Sequence, residues 1–136
     1  MTMTRLQLLE YVYSEVEALD KKPKVGDGDC VALVRHYTRM PSHRWWKEGA
    51  AVLGNTRIQK GTAIATFVRD KYPNRNHGNH AAFFLRHGSG GFWVIDQYKR
   101  VGTIVKRFIR VRGKKNDGSY LYPSDNALAF SVIEVG

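Results

Sequence analysis

A thiol, five imidazoles and a sparse set of carboxylates are the groups in this chain that could do chemistry. The thiol stands alone. Cys30 is the only cysteine in 136 residues, so it has no intramolecular disulfide partner and is either a small buried hydrophobe or a reactive group. It lies in GDGDCVALV, after Asp27 and Asp29 and before an apolar run. That pattern puts it at the first turn of a helix, where free backbone N–H groups and the helix dipole favour a thiolate. Asp27 or Asp29 would cap that helix; pointed at the sulfur instead, either would oppose ionisation. Activation of the thiol therefore calls for a base.

The five histidines are not equivalent. His36 is six residues beyond Cys30 and points about 120° away from it around a helix. His43 beside the tryptophans and His87 in a glycine-rich turn read as surface residues. His77 and His80 form HGNH, but no helix aligns them and no third ligand follows, so no metal is expected. His80 opens the strand HAAFFL, and the next strand, in WVIDQY, carries Asp96 as its one acid. A hairpin turn centred on Gly88 sets His80 opposite Asp96 on one side of the sheet. A centre half a step later sets Gln97 there. Either could orient an imidazole, and the acid would also stabilise its charged form. A nucleophile at a helix start, a base at a strand start and an orienter on the next strand make up a generalised triad.

The elements that must position these groups form an α+β pattern. Leu9, Val12, Val16 and Leu19 recur at spacings of three and four, which predicts a helix over Thr4–Leu19. DKKPKVGDGD breaks regular structure with Pro23, Gly26 and Gly28, and a second helix is expected from Cys30 to about Thr38. RMPSHRWWKEGAAVLGN reads as a loop with a short helix. From Ile58 onward, GTAIATFV, HAAFFLRH, GFWVIDQY, TIVKRFIRVRG and ALAFSVIEV are short branched and aromatic runs separated by turn clusters. They predict about five strands, mostly antiparallel, with the N-terminal helices packed on one face. There is no internal repeat and no linker, so residues 1–136 are expected to form a single domain.

Composition narrows the partners. The formal charge is +10, with 43% hydrophobic and 25% charged residues, which fits a globular protein that meets something anionic. No apolar run approaches the roughly 18 residues of a transmembrane helix. Glu10, Glu15 and Glu17 interrupt the region where a secretory signal needs continuous apolar residues. Synthesis in the cytoplasm without a signal peptide is the expectation.

Several of these motifs bear a resemblance. DCVALV resembles the DC-x-G-L-V signature of the NlpC branch of papain-like cysteine hydrolases, with Ala32 where that group usually has glycine. GTAIATF resembles the first core strand after the nucleophile helix, and GNHAAFFL the segment opening with the catalytic histidine. WVIDQY resembles the strand supplying the third polar residue, where CHAP-type amidases place an acid. The order of motifs spans roughly Val25 to Tyr98, and DNALAFSVIE is similar to a small group of bacterial single-domain relatives. The resemblance implies a papain-like (NlpC/CHAP-type) fold with Cys30 as nucleophile, His80 as general base then acid, and Asp96 as orienter. The bond implied is an amide in the peptide stem of peptidoglycan, cut through a thioester, with the oxyanion held by N–H donors including that of Cys30. Asp29, Gln97, Trp45 and Trp46 are the candidate substrate contacts. No metal or cofactor is called for.

Some relatives of that kind are antibacterial effectors exported by type VI secretion. That implies action in the periplasm or cell wall after delivery, an acidic immunity protein as partner, a monomer, and no membrane insertion. Lys99 to Lys115 holds eight basic residues and no acid, which reads either as a solvated strand and turn or as a surface facing an anionic wall or acidic partner. Two competing readings remain open. One is a basic nucleic-acid-binding domain using IVKRFIRVRGKK, and the other is an inactive papain-like scaffold that only binds.

Overall fold

The computed structural model describes residues 9–73, 75 and 78–135. It contains one α-helix among those residues, α1 (Cys30–Thr38), and seven strands: β1 (Leu9–Glu10), β2 (Lys47–Ala51), β3 (Ala63–Thr66), β4 (Ala81–Gly88), β5 (Gly91–Asp96), β6 (Val105–Arg110) and β7 (Phe130–Val135). The strands form one antiparallel sheet in the order β1-β7-β3-β4-β5-β6, with β2 also paired to β7. All five expected apolar runs become strands, β3 to β7.

The expected helix over Thr4–Leu19 is absent from the part that is described; residues 4–8 lie outside it. From Leu9 the backbone pairs with β7 instead, and Tyr13 N–H and Tyr11 C=O bond to Gly61 and Ala63. Tyr11 and Tyr13 pack on the core while Val12 between them is exposed, so the governing period here is two rather than 3.6. Only Val16–Leu19 turns helically, as a short 3-10 segment whose Val16 and Leu19 are buried. Sheet pairing overrides helix propensity in this segment. The Trp-rich loop likewise holds a 3-10 turn at His43–Trp45 followed by the unexpected β2.

Both faces of the sheet are covered. Ala63, Ala65, Ala81, Phe83 and Ile95 share one core with Leu33 and Val34 of α1, and the small alanines leave room for the helix to approach closely. Ile64, Phe84, Phe92, Val94, Ile109 and Phe130 form the second core, closed by Val52 and the Ala127–Ala129 turn.

The β4–β5 register differs from the expected one. Gly88 pairs with Gly91 around a two-residue turn at Ser89–Gly90, and a bulge follows at Leu85, so Phe83 pairs with Ile95. Gly90 has φ +78°, the left-handed conformation that such tight turns need and glycine supplies. Asp96 is consequently a diagonal neighbour of His80 rather than its direct opposite. Diagonal neighbours on one face remain within reach of long side chains.

Candidate active site

Helix α1 begins at the thiol because the chain before it is pinned. Gly26 sits at φ +58°, and a Cβ there would come within 2.8 Å of Ala32 Cβ, so the loop can lie against the first turn only as glycine. Gln97, fully buried, ties the loop from the sheet. Its amide donates to Val25 C=O at 2.9 Å and to Asp29 C=O at 2.8 Å, and its oxygen accepts from Val25 N–H at 3.0 Å. Asp29 is the N-cap, accepting from Cys30 N–H at 2.9 Å. The first helical residue is therefore held by both a cap and a clamp.

His80 is fixed just before β4. Its backbone exchanges hydrogen bonds with Thr66: His80 N–H donates to Thr66 Oγ1 at 3.0 Å, and Thr66 N–H donates to His80 C=O at 3.0 Å. The ring lies on the same sheet face as Asp96, and Nε2 meets Asp96 Oδ2 at 2.6 Å. With Nε2 committed there, Nδ1 is the nitrogen left for the thiol. Burial alone would favour neutral imidazole. The Asp96 hydrogen bond, with the nearby thiol of Cys30 and the charges of both groups, reverses that and raises the pKa from 6.5 to about 9. Burial likewise pushes Asp96 up, but His80 and Arg107 more than offset it and hold the carboxyl below its usual range. Arg107 Nε donates to the same Oδ2 at 2.7 Å.

One residue at the thiol has no counterpart in the sequence expectations. Tyr72 Oη lies 3.7 Å from Cys30 Sγ. Burial first, then Cys30 and Asp29, pushes the phenol pKa far above its usual 10, so it stays protonated and able to donate. Its ring packs edge-on to Trp46 and beside His43. The turn Val68–Lys71, with Arg69 and Asp70 both at positive φ, delivers it there. No local pattern in KYPN announces this placement.

Cys30 and His80 are both buried and line neither of two nearby cavities, which are reached through their partners Tyr72 on the thiol side and Thr66 on the histidine side. One, of about 1000 Å³, is lined by Tyr72, His43, Arg44, Trp45, Lys47 and Lys71 among others. The other, of about 1100 Å³, includes Thr66, Arg69, Arg112, Lys115, Tyr122 and Asp125 in its wall. The turn carrying Arg69 and Asp70 separates them.

The candidates thus divide. Cys30, His80 and Asp96 come together. Trp45 stands exposed at the rim of the thiol-side cavity, whereas Trp46 is a core residue whose Nε1–H donates to Pro41 C=O, with only an edge on that cavity. Gln97 spends both polar side-chain atoms on the backbone of the loop before Cys30, and Asp29 gives Oδ1 to Cys30 N–H, so both tie that loop. Cys30 N–H is donated to Asp29, so it is not the free oxyanion donor expected of it. Among the other imidazoles, His87 bonds Asn55 C=O at 2.8 Å and His36 stacks edgewise on Tyr37; His77 lies outside the described residues. No cluster of three metal-ligating residues occurs among those described.

Residues 14–123 match the family model described as domesticated amidase effector 2. A type VI secretion amidase effector 2 protein of Salmonella typhi is 45% identical over 133 residues, covering 93% of this chain and 100% of the relative. A solved structure of a type 6 secretion amidase effector 2 superposes with a TM-score of 0.86 at 45% identity, covering 93% of this chain and 95% of that one. At that identity the fold is shared along nearly the whole length. A family match over residues 14–123 and 45% identity along nearly the whole length lead to one assignment: the chain belongs to the domesticated amidase effector 2 family.

Proposed function

We propose that this protein is a cysteine amidase that hydrolyses an amide bond in the peptide stem of peptidoglycan, acting as a type VI secretion effector in the periplasm of a target cell. The family and the effector relatives support the amidase activity and the delivery route. The observation that supports a cysteine mechanism is the His80 ring bonded to the Asp96 carboxylate at 2.6 Å and near enough to the Cys30 thiol to feel its charge. A nucleophile-bearing helix packed on an antiparallel sheet that carries the base is also the layout of a papain-like fold.

The proposed steps are these. His80 takes the Cys30 proton, giving a thiolate beside an imidazolium that Asp96 stabilises. The thiolate attacks the amide carbonyl carbon, and the electron pair moves to the carbonyl oxygen. Tyr72 Oη–H is the donor at hand for that oxyanion. The imidazolium protonates the leaving nitrogen, the C–N bond breaks, and a thioester to Cys30 remains. Water, deprotonated by His80, then attacks the thioester, giving a carboxylate and the free thiol. The cavity bordered by Tyr72 is the side from which substrate reaches the sulfur. The cations around both cavities suit the carboxylates of stem peptides, and an acidic immunity protein would meet the same charges.

The test is mass spectrometry of purified muropeptides after digestion. Wild type is expected to produce new amine and carboxylate termini, and Cys30→Ala none. Cleavage by both proteins alike, or by neither, contradicts the proposal.

A further inference from the structure

The charged groups behind the imidazole extend further than a three-residue site requires. Asp96 Oδ2 accepts from His80 at 2.6 Å and from Arg107 Nε at 2.7 Å. Arg107 Nη1 reaches Asp125 Oδ1 at 2.9 Å, and Asp125 Oδ2 accepts from Arg112 Nη2 at 2.7 Å. Charges therefore alternate in sign from the ring to the wall of the histidine-side cavity, where Asp125 and Arg112 lie. Three elements contribute: β5 carries Asp96, β6 carries Arg107, and the Pro123–Asp125 turn supplies Asp125. Val94 pairs with Arg107, so Arg107 shares a sheet face with Asp96.

A buried carboxylate needs a counter-charge simply to exist, and stability alone would account for a cation here. The atom chosen says more. Asp96 Oδ1 is buried and has no hydrogen-bond partner among the described residues, yet Arg107 binds the oxygen that already holds the imidazole. Sharing one oxygen makes the two donors competitors for its charge. The guanidinium fork also spans two acids at once, which an ammonium cannot do in this geometry.

We propose that Arg107, tethered by Asp125, is a positioning residue that holds the Asp96 oxygen it shares with His80 and so limits the negative charge the imidazole feels. The groups around the ring are few. Asp96 faces it from β5 and Cys30 from α1, the Tyr98 and Phe130 rings lie with centroids 6.3 Å away, Tyr72 stands beyond the thiol, and Arg107 and Asp125 stand beyond Asp96. Removing the positive charge should strengthen the pull of Asp96 on the imidazolium. Removing Asp125 leaves that positive charge less balanced and should weaken the pull.

The proposal rests on the preceding one only for its effect on catalysis; the ring titration does not depend on it. His80 is titrated by NMR in the full chain, with its signal assigned by comparison with His80→Gln. Arg107→Gln is expected to move the midpoint up by about one pH unit, and Arg107→Lys, which keeps the charge but loses the tether, by less. Asp125→Asn changes a partly exposed side chain and should fold; its midpoint moves the opposite way, downward. In muropeptide digestion, the alkaline limb of kcat/KM should follow the same order. Should Arg107→Gln not fold, the direction seen for Asp125→Asn decides. An unmoved midpoint in both variants, or movement in the same direction, overturns the proposal even if muropeptide cleavage is confirmed.

Discussion

At the scale of the residue, the site is a set of hydrogen bonds whose loss has definite consequences. The pKa of His80 is raised from 6.5 to about 9 by groups met only in the folded chain. Stabilisation from the protonated pair is therefore complete below the unfolded value and fades as pH rises through about 9. Activity that needs His80 to protonate a leaving amine should fall over the same range, which a pH–rate profile on soluble muropeptides checks. Tyr72→Phe removes one donor and keeps the ring packed on Trp46, so kcat is expected to drop by about 10²-fold with little change in melting temperature. A kcat within a factor of two of wild type would remove Tyr72 from the mechanism. The placement of Cys30, His80 and Asp96 was legible in the sequence because each sits at the start of, beside or within a regular element. That of Tyr72 and Arg107 was not. Tyr72 arrives by a tight turn with no local signature, and Arg107 is hidden in a stretch of eight cations whose neutralising acid, Asp125, lies outside it.

At the scale of the element, the loop before Cys30 depends on one side chain from the end of β5. Gln97→Leu would remove all three amide bonds and leave the Val25 N–H and C=O and the Asp29 C=O without those partners. A loss of about 3 kcal/mol is expected in urea denaturation, together with reduced activity, since Cys30 begins the helix that this clamp fixes. A variant as stable as wild type would show that the loop holds itself. The same position illustrates why register escapes sequence reasoning. A turn shifted to Ser89–Gly90 and a bulge near Leu85 alter which residues are opposite, yet preserve the parity that puts His80 and Asp96 on one face. β1 and β2 were invisible for another reason. Short edge strands bury too little to impose a clear period, and Leu9–Leu19 satisfies a helical spacing that the adjoining strand then overrides.

At the scale of the whole molecule, the charge of +10 is less uniform than composition implied. Within Lys99–Lys115, Arg107 and Arg112 are paired with Asp125, and Lys106 and Lys114 lie over the rings of Trp93 and Tyr120. The remainder, without an ion pair among the described residues, and Arg69 and Lys71 at the turn between the cavities are what an anionic polymer would meet. Activity on intact sacculi should therefore fall several-fold between about 0.05 and about 0.5 M salt, while cleavage of a short soluble fragment changes less; equal sensitivity would argue against steering by charge. No helix among the described residues is long and apolar enough to cross a membrane. Fold class and the five central strands followed from periodicity, whereas the closure of the sheet's second face by Val52 and Ala127–Ala129 depends on long-range packing that no window of sequence displays.

Central to this account is a covalent bond between substrate and the sulfur of residue 30, formed with help from the ring of residue 80. Acid quenching during turnover of a soluble stem peptide, followed by intact-protein mass spectrometry, looks for that bond directly. The account predicts an adduct with the mass of the acyl half, mapped to Cys30, released by hydroxylamine and absent from Cys30→Ala. Substrate consumed at the wild-type rate while Cys30 stays unmodified in every quenched sample, with Cys30→Ala equally active, would contradict it.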